Sequence, residues 1–452
     1  MKITLKNLGP LPQAEFELGD LTILCGENNS GKTYATYALH GFLAWGKHLC
    51  VPEISSIVLR QLQETGHVKL DINHLLDQFD HVLRDACEQY SSQINIVFGS
   101  DEKLFDGSVF DLKILKSERK VLPFYNGKNR FLRIAKARES DEIEVFVLED
   151  RVVPDRAILD GIAEGLRNII YSPSFPSAFI ASAERTGAAI FKKELNFNRN
   201  RLLERMGAQP DKDPRELMAS SYADYPLPVK VNVDFTRQLH GEISNKSFLN
   251  TTHPDLLEDF VEIIGGNYSI DNNDEIFFSP KNNKKIFLKM SESSSAVRSL
   301  LDIGFYLQHI VKEGDILMVD EPELNLHPVN QRKLARLFVR LVNKGVKIFI
   351  TTHSDYIIKE LNSLILLSMD QPHLKQIAER EGYRPDELLA PDRVRVYMAR
   401  KELVLLEGYQ RRTRNLTLVP ARITAEHGIE AITFDETIND MNRIQDDIYF
   451  GD

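Results

Sequence analysis

The stretch Gly-Glu-Asn-Asn-Ser-Gly-Lys-Thr at residues 26–33 constrains this chain more than any other sequence feature. Glycine, four residues and then Gly-Lys-Thr form the phosphate-binding P-loop pattern. A short apolar run at 21–25 predicts a buried strand before it, and an Ala-containing stretch at 34–43 predicts a helix after it. A glycine loop in that position can wrap backbone N–H groups around a phosphate at the helix N-terminus.

The polar side chains of this loop have the chemistry that a bound nucleotide requires. Lys32 is expected to reach the β- and γ-phosphates, and the Thr33 hydroxyl is expected to contact Mg²⁺. The predicted nucleotide-binding residues here are Gly26, Asn28, Asn29, Ser30, Gly31, Lys32 and Thr33. A chance glycine-rich turn is the weaker interpretation, because a predicted strand and helix flank the pattern.

Composition excludes several classes of protein. A formal net charge of −10 over 452 residues argues against a uniformly basic nucleic-acid binder, although it allows a local basic groove. The cysteines Cys25, Cys50 and Cys87 are dispersed and lack metal-ligand spacing, which favours a reduced, cytoplasmic setting. No apolar run approaches the roughly 18 residues of a membrane span, and the N-terminus is too polar for a signal peptide.

Hydrophobic spacing predicts most of the remaining elements. Residues 1–25 should form a β-hairpin or a meander that leads into the P-loop strand. Further strands are predicted at 94–98, 143–147, 178–181, 276–278 and 286–289, and helices at 54–62, 75–83, 155–170 and 372–400. The remainder of 207–290 is expected to be irregular. A basic amphipathic stretch is predicted at 188–206, and an acidic helical tail that includes Asp446 and Asp447 at the end.

A second strong signal is the pair Asp320-Glu321, which follows the apolar run at 316–319. The pair should lie at the carboxyl end of a buried strand, where open α/β sheets bind ligands. Asp320 then suits the Mg²⁺ shell, and Glu321 suits polarisation of the attacking water. The alternative is that both carboxylates only cap the next element.

Two weaker signals accompany that pair. His353 follows another predicted strand at 347–352, from which it could touch the γ-phosphate, although a lone histidine is more often an ordinary polar residue. Ser293, Ser294 and Ser295 precede a predicted helix. These serines could form a plain N-cap or offer hydroxyl and N–H groups to a phosphate, and the sequence leaves both possibilities open.

In this order, the P-loop, the serine cluster, Asp-Glu-Pro-Glu at 320–323 and Thr-Thr-His-Ser at 351–354 resemble the ABC-type ATPase head. The resemblance is closest to the bacterial branch with the OLD-family nucleases and the ATPase subunits of the anti-phage systems Septu and PARIS. Glu-Arg-Thr-Gly at 184–187 is similar to a motif of that branch. The implied fold is α/β, a P-loop NTPase head whose mixed, mostly parallel sheet is flanked by helices.

The resemblance also implies roles and partners. Glu321 would be the catalytic carboxylate, His353 the switch histidine and Asp320 a metal ligand, with ATP and Mg²⁺ as cofactors. The serines at 293–295 would contact nucleotide on the opposite protomer, so a head-to-head homodimer or higher oligomer is expected. Two departures stand out: three serines replace the Leu-Ser-Gly-Gly pattern, and no Q-loop glutamine is identifiable.

The implied organisation is a head interrupted by two insertions. The predicted segments are the head at 1–45, an insertion at 46–165, the head and basic helix at 166–206, an insertion at 207–285, the head at 286–370 and a helical or mixed tail at 371–452.

No Toprim or HNH nuclease pattern is present after His353. The leading hypothesis is therefore an ATPase that controls a separately encoded nuclease, of HNH or Toprim type, in phage defence. The alternative is a DNA-maintenance ATPase whose basic residues at 192–205 contact DNA directly. A transporter subunit is disfavoured, and a nucleotide-gated protein that does not hydrolyse ATP remains open.

Overall fold

The strands that carry the sequence motifs lie side by side in one six-stranded sheet. In the computed structural model, the described residues are 1–148, 154–190, 225–430 and 441–449. The strands are β1 Lys2–Leu8, β2 Leu11–Glu17, β3 Leu21–Gly26, β4 His67–Asp71, β5 Val109–Lys113, β6 Tyr125–Lys128, β7 Leu132–Lys136, β8 Glu142–Val147, β9 Ala178–Ala181, β10 Gly266–Ile270, β11 Ile276–Pro280, β12 Leu288–Lys289, β13 Ile316–Asp320, β14 Lys347–Thr352, β15 Val394–Val404, β16 Thr413–Pro420, β17 Ile423–Thr424 and β18 Gly428–Ile429.

The central sheet has the order β16-β15-β3-β14-β13-β9, and only the edge strand β16 runs antiparallel to its neighbour. Strands β3, β13 and β14 are almost entirely buried apolar runs, as expected where helices cover both faces of a parallel sheet. The register places Asp320 beside Thr351, and Thr352 beside Cys25. The carboxyl ends of the motif strands therefore meet at one edge, and the predicted α/β head fold is confirmed.

Helices cover this sheet and build the surrounding layers. They are α1 Lys32–Ala44, α2 Ser56–Thr65, α3 Ile72–Asp77, α4 Phe79–Ser92, α5 Ile94–Phe98, α6 Asp155–Leu166, α7 Arg185–Ile190, α8 Leu227–Glu242, α9 Phe248–Thr252, α10 Pro254–Ile264, α11 Ser295–Ser299, α12 Leu301–His309, α13 Pro328–Asn343, α14 Asp355–Leu366 and α15 Pro372–Arg380. Short 3₁₀ turns lie at Gly46–Leu49, Glu102–Phe105, Lys116–Glu118, Ser172–Ser174, Pro385–Glu387 and Pro391–Arg393, and a π turn lies at Arg167–Tyr171.

Two hydrophobic cores lie on opposite faces of the central sheet. Successive residues of a strand point to opposite faces, so Ile316 and Met318 enter one core while Leu317 and Val319 enter the other. The first core also receives helix α1 and the antiparallel sheet β2-β1-β5. The second receives α13 and α14. Smaller sheets, β4-β8-β7-β6, β10-β11-β12 and β17-β18, complete the architecture.

Three predictions of secondary structure are wrong. Residues 94–98 form helix α5 rather than a strand, since this short apolar run continues the chain from α4 and ends at Gly99, whose φ is +57°. Residues 227–264 form α8, α9 and α10 rather than an irregular segment. The predicted helix at 372–400 ends at Arg380, and 394–404 instead forms β15 against the P-loop strand.

The other predicted elements are confirmed where the structure describes them. The hairpin of β1 and β2, strands β8, β9 and β11, and helices α2, α4 and α6 agree with the sequence analysis. The basic stretch lies outside the described residues from 191 onwards, and in the acidic end residues 441–449 are helical. Among the described helices, none is long and apolar enough to cross a membrane.

Candidate functional site

Two glycines shape the loop between β3 and α1. Gly26 has a φ of +137°, and a Cβ atom there would lie 2.6 Å from the carbonyl oxygen of Ala399. Gly31 has a φ of +85°, and Asn29 also takes a positive φ of +59°. Left-handed residues in such a loop turn successive backbone N–H groups toward a common centre, which makes an anion-binding concavity. The side chains of Asn28 and Asn29 are exposed at its rim.

Lys32 is folded back over this loop. Its Nζ donates hydrogen bonds to the carbonyl oxygens of Gly26 (3.0 Å) and Glu27 (2.7 Å), and it lies 3.3 Å from Ser30 Oγ. Burial lowers the pKa of Lys32, an effect opposed by the negative charges of Glu321 and Asp320. The ammonium group therefore lies over the loop and interacts with the carboxylates at the end of β13.

Asp320 lies within reach of the loop, at the end of β13. Its Oδ2 accepts a 3.4 Å hydrogen bond from Thr33 Oγ1, and its Oδ1 accepts one from Thr351. Burial raises the pKa of Asp320 to about 6, and the negative charges of Glu321 and Glu184 add to the rise. A cation beside Thr33 and Asp320 would relieve this crowding of negative charge.

Glu321 and His353 meet beside Asp320. Glu321 has a φ of +50°, and its N–H donates to both the carbonyl and the hydroxyl oxygen of Thr351. This backbone anchor leaves the side chain partly exposed, with Oε1 3.3 Å from His353 Nε2. The hydrogen bond from His353 lowers the pKa of Glu321, so the carboxylate stays ionised and available to accept a proton from water.

Glu323 is a site residue that the sequence analysis did not single out. Its Oε1 accepts a 2.6 Å hydrogen bond from the backbone N–H of His353, and its Oε2 is buried without a hydrogen-bond partner in the described structure. Burial raises the pKa of Glu323. The signal was present in the sequence, because Glu323 lies two residues after Glu321 in the same polar run.

The buried side chain of Arg185 supports the backbone of Asp320 and Glu321, the carboxylate side of the site. It is 1% exposed, and its guanidinium donates to four backbone carbonyl oxygens. These belong to Ser182 (2.8 Å), Asp320 (2.6 Å), Glu321 (2.9 Å) and Ser299 (2.6 Å). One side chain thus connects the end of β9, the end of β13 and the last residue of α11. The Glu-Arg-Thr-Gly stretch at 184–187 carries part of the resemblance to the bacterial ATPase branch. The sequence alone did not show that Arg185 connects these backbone segments.

Glu184, the neighbour of Arg185, joins the same edge to the P-loop helix. Tyr37 OH donates a 3.0 Å hydrogen bond to Glu184 Oε2. Tyr37 lies four residues after Thr33 on α1, and therefore on the same face of that helix. The bond fixes the distance between the P-loop helix and the end of β9.

The serine cluster lies at the start of α11. Ser294 caps α11 by accepting from the N–H of Val297, and Ser293 Oγ donates to the carbonyl oxygen of Lys289. The N-cap interpretation is therefore confirmed for Ser294. None of the hydrogen bonds between described residues connects the three serines to the P-loop or to Glu321. Ser294 and Ser295 are exposed, which leaves them accessible to a second molecule.

The donor set fits Mg²⁺ together with phosphate. Among the described residues, no group of three or more His, Cys, Asp or Glu side chains forms a metal cluster. Mg²⁺ usually takes one or two protein oxygens and completes its shell with phosphate oxygens and water. Thr33 and Asp320 would supply such oxygens, and the bound ion would neutralise phosphate charge.

The sequence profile of the AAA ATPase domain matches residues 1–199 and 232–358, well over half of the chain. The chain belongs to the AAA ATPase domain family. The match includes the P-loop, the serine cluster, Asp320, Glu321 and His353, so every residue of the candidate site lies within it. None of the curated proteins matches this chain.

Solved structures similar to the chain include heads of SMC proteins. The SMC head domain from Thermotoga maritima is 12% identical with a TM-score of 0.31, and the match covers 93% of this chain and 98% of that one. An Smc head with an extended coiled coil, bound to the C-terminal domain of ScpA from Pyrococcus furiosus, is 12% identical with a TM-score of 0.33 and 98% coverage of both chains. TM-scores this low carry no inference about function.

Proposed function

We propose that this chain binds ATP with Mg²⁺ in the Gly26–Thr33 loop and hydrolyses it with Glu321. The observation that carries the proposal is the convergence of three separate sequence segments on one edge of the sheet. Thr33 lies 3.4 Å from Asp320, and Glu321 lies 3.3 Å from His353. Phosphoryl transfer to water needs positioning and charge stabilisation more than covalent chemistry, and these residues supply both.

The residues divide the work by position. Backbone N–H groups of the loop and Lys32 would hold the phosphates, and Thr33 and Asp320 would hold the metal. Glu321, kept ionised by His353, would accept the proton of the attacking water. His353 is itself held by Glu323 through its backbone N–H, which keeps the imidazole beside Glu321.

This function is tested by nucleotide binding and phosphate release with purified wild-type chain and the variant Lys32→Ala. Loss of the ammonium should weaken Mg·ATP binding and abolish turnover, because the loop would lose its only lysine at the phosphates. Equal affinity and turnover in the two proteins would contradict the proposed site. Lys47, after the end of α1, provides a control in Lys47→Ala, which should leave binding unchanged.

We further propose that ATP joins two heads. Ser294 and Ser295 are exposed at the start of α11 and make no hydrogen bond with the nucleotide loop of their own chain in the described structure. In a head-to-head pair they would approach the nucleotide of the opposite protomer. Measurement of the native mass with and without ATP tests this step. The mass should increase when ATP is added, and an equal mass in both conditions would contradict the proposal.

The assembled heads, in this proposal, regulate a separately encoded nuclease in phage defence. Support comes from the resemblance of the ordered motifs to the ATPase subunits of such systems. Purification of the tagged chain with its chromosomal neighbours, followed by mass determination, provides the test. A nuclease-sized companion in fixed ratio is the expected result. A bare oligomer that holds DNA only with ATP would favour the alternative, a DNA-maintenance ATPase.

A further inference from the structure

Strands β15 and β16 continue beyond the nucleotide loop as a hairpin that pairs with no other described strand. The last parallel pair between β15 and β3 is Ala399 with Gly26. Past it, residues 400–404 pair only with β16, ending with Val404 opposite Thr413. At a rise of about 3.3 Å per residue, this extension projects roughly 16 Å past the P-loop glycine. The hairpin therefore lies on the edge of the sheet that carries the candidate nucleotide site.

The end of this hairpin carries cations that no described acidic side chain neutralises. Arg411, Arg412 and Arg414 are exposed, as is Lys401 on the opposite strand. Within the described ranges, none of the four lies in an ion pair. The nearby carboxylates are already engaged, Glu402 with Arg400 at 3.1 Å and Glu407 with Lys6. Among the described side chains, the charge of the four cations is therefore uncompensated, in a chain whose net charge is −10.

Apolar and aromatic side chains accompany these cations. Leu403 and Leu405 are 59% and 53% exposed, and Tyr409 at the turn is 64% exposed. Alternation along β15 places Lys401 and Leu403 on one face of the hairpin, and Leu403 is paired directly with Arg414; Leu405 follows just after the strand ends. The resulting surface combines arginine forks with an exposed ring, which together contact phosphates and bases in proteins that bind nucleic acids.

The hairpin end is also held in place. The N–H of Glu407 donates a 3.1 Å hydrogen bond to Gln13 Oε1, and Lys6 contacts the Glu407 carboxylate. Both partners belong to the β1–β2 hairpin, which enters the first core. A surface fixed to the body of the molecule loses little conformational entropy when it binds a ligand.

We propose that this hairpin surface, residues 401–414, binds nucleic acid through its phosphate backbone. A polyanion matches a row of uncompensated arginines, because a guanidinium contacts phosphate oxygens through two parallel N–H groups. Binding here stands independently of the proposed ATPase function. It would place a nucleic acid on the side of the sheet where the nucleotide loop lies.

The test measures the salt dependence of binding with the full chain and short fluorescent nucleic acids, by anisotropy. The variant R411E/R412E/R414E is compared with wild type between about 50 and 200 mM salt. Each lost phosphate contact lowers the slope of log affinity against log salt by about 0.9 on a duplex and about 0.7 on a single strand. We expect the slope to fall by about 2 to 3 on a duplex, and the affinity at low salt to fall ~10-fold or more.

A matched variant controls for overall charge. R60E/R84E/K103E changes the net charge equally at exposed cations that are distant in sequence from the hairpin. It should retain at least the wild-type slope. Duplex and single-stranded probes distinguish the form of nucleic acid, and Tyr409→Ala should weaken single-strand binding selectively if bases stack on the ring.

Three results would overturn the proposal. The first is that the wild-type chain binds neither probe at low salt. The second is that the hairpin variant keeps the wild-type salt slope. The third is that the control variant loses as much affinity and slope as the hairpin variant. If the chain binds neither probe, an acidic protein becomes the favoured ligand of the hairpin surface. The arginines are exposed, so the variant should keep the wild-type melting temperature. If it does not, R411A/R412A/R414A repeats the comparison without reversed charge.

Discussion

The two sides of the candidate site are shaped in different ways. On the P-loop side, the turn of the chain comes mainly from left-handed backbone at Asn29 and Gly31 within the loop itself, with one close approach of Ala399 to Gly26. On the carboxylate side, the backbone of Asp320 and Glu321 is held by Arg185, whose side chain reaches it across 135 positions of sequence. We call the loop conformation a local device, because it depends mainly on the loop's own residues. The support from Arg185 is a tertiary device, because it exists only in the folded chain.

The largest effect is expected when the tertiary device is removed. Arg185→Met would leave four backbone carbonyls without their donor and should lower the free energy of unfolding by about 3 kcal/mol or more. Turnover should fall with it, since the ends of β13 and α11 would lose their common support. Arg185→Lys, which keeps the charge but not the planar fork, should recover part of the stability and little of the turnover.

A buried arginine elsewhere provides the control for that variant. Arg340 is 2% exposed and contacts Asp255, Asp259 and Asp386 away from the candidate site. Arg340→Met should cost comparable stability, measured by urea unfolding, but leave turnover per folded molecule unchanged. If both variants lose turnover equally, Arg185 has no special relation to the site.

The local device should fail next, and differently. Gly26→Ala combines a φ of +137° with a Cβ only 2.6 Å from a backbone oxygen, so we expect a loss of about 2 kcal/mol or more and weaker nucleotide binding. Gly66→Ala is the matched control, with a φ of +69° and nothing within 4 Å. It should cost only about 1–2 kcal/mol and leave nucleotide affinity intact. Equal losses in the two variants would show that the close approach of β15 is unimportant.

The carboxylate side should also respond to pH through Asp302, a buried residue of α12 whose Oδ1 accepts a 3.3 Å hydrogen bond from Thr236 and whose charge interacts with that of Arg185. Burial raises the pKa of Asp302 to about 7, although the charge of Arg185 opposes the rise. Between about pH 4 and 7 the folded state then keeps a proton that the unfolded state releases. Because the unfolded state binds fewer protons, this group makes stability fall as pH rises, by roughly 1–3 kcal/mol in all.

Asp302→Asn removes that titration. Unfolding curves should therefore show the variant gaining stability relative to wild type from about pH 4 to about pH 7, with a constant difference above the folded pKa. Parallel pH profiles for the two proteins would mean that the buried carboxyl does not titrate in this range.

The smallest effect is expected at the serine cap of α11. Ser294→Ala removes the acceptor of the Val297 N–H and should cost about 1 kcal/mol. Ser295→Ala, which removes no cap, should stay within about 0.5 kcal/mol of wild type. If Ser294→Ala abolishes ATP-driven assembly while the free energy of unfolding falls by only about 1 kcal/mol, the proposed contact of Ser294 with the opposite head is supported.

The sequence predicted the local side of the site well because its information is local. A strand, a glycine loop and a helix are contiguous, and the apolar runs before Asp320 and His353 end where the strands end. Parallel pairing then brings those ends together without further information. The P-loop residues, Asp320-Glu321 and His353 were therefore accessible from the sequence pattern.

Other features depended on contacts that spacing does not encode. Arg185 looked like one polar residue in a turn, and its four acceptors became visible only when β9, β13 and α11 were packed. Residues 94–98 were mistaken for a strand because four apolar residues within five positions carry no distinct period. Residues 394–400 were mistaken for the end of a helix, although Gly26 leaves the space that β15 fills.

The central claim is that Glu321 is the catalytic carboxylate of an ATPase. The most direct measurement is phosphate release by Glu321→Gln at saturating Mg·ATP, with ATP binding measured on the same sample. We expect unchanged binding and turnover reduced by about 100-fold or more, because the amide cannot accept the proton of the attacking water. Turnover equal to that of the wild type, with ATP bound, would contradict the account.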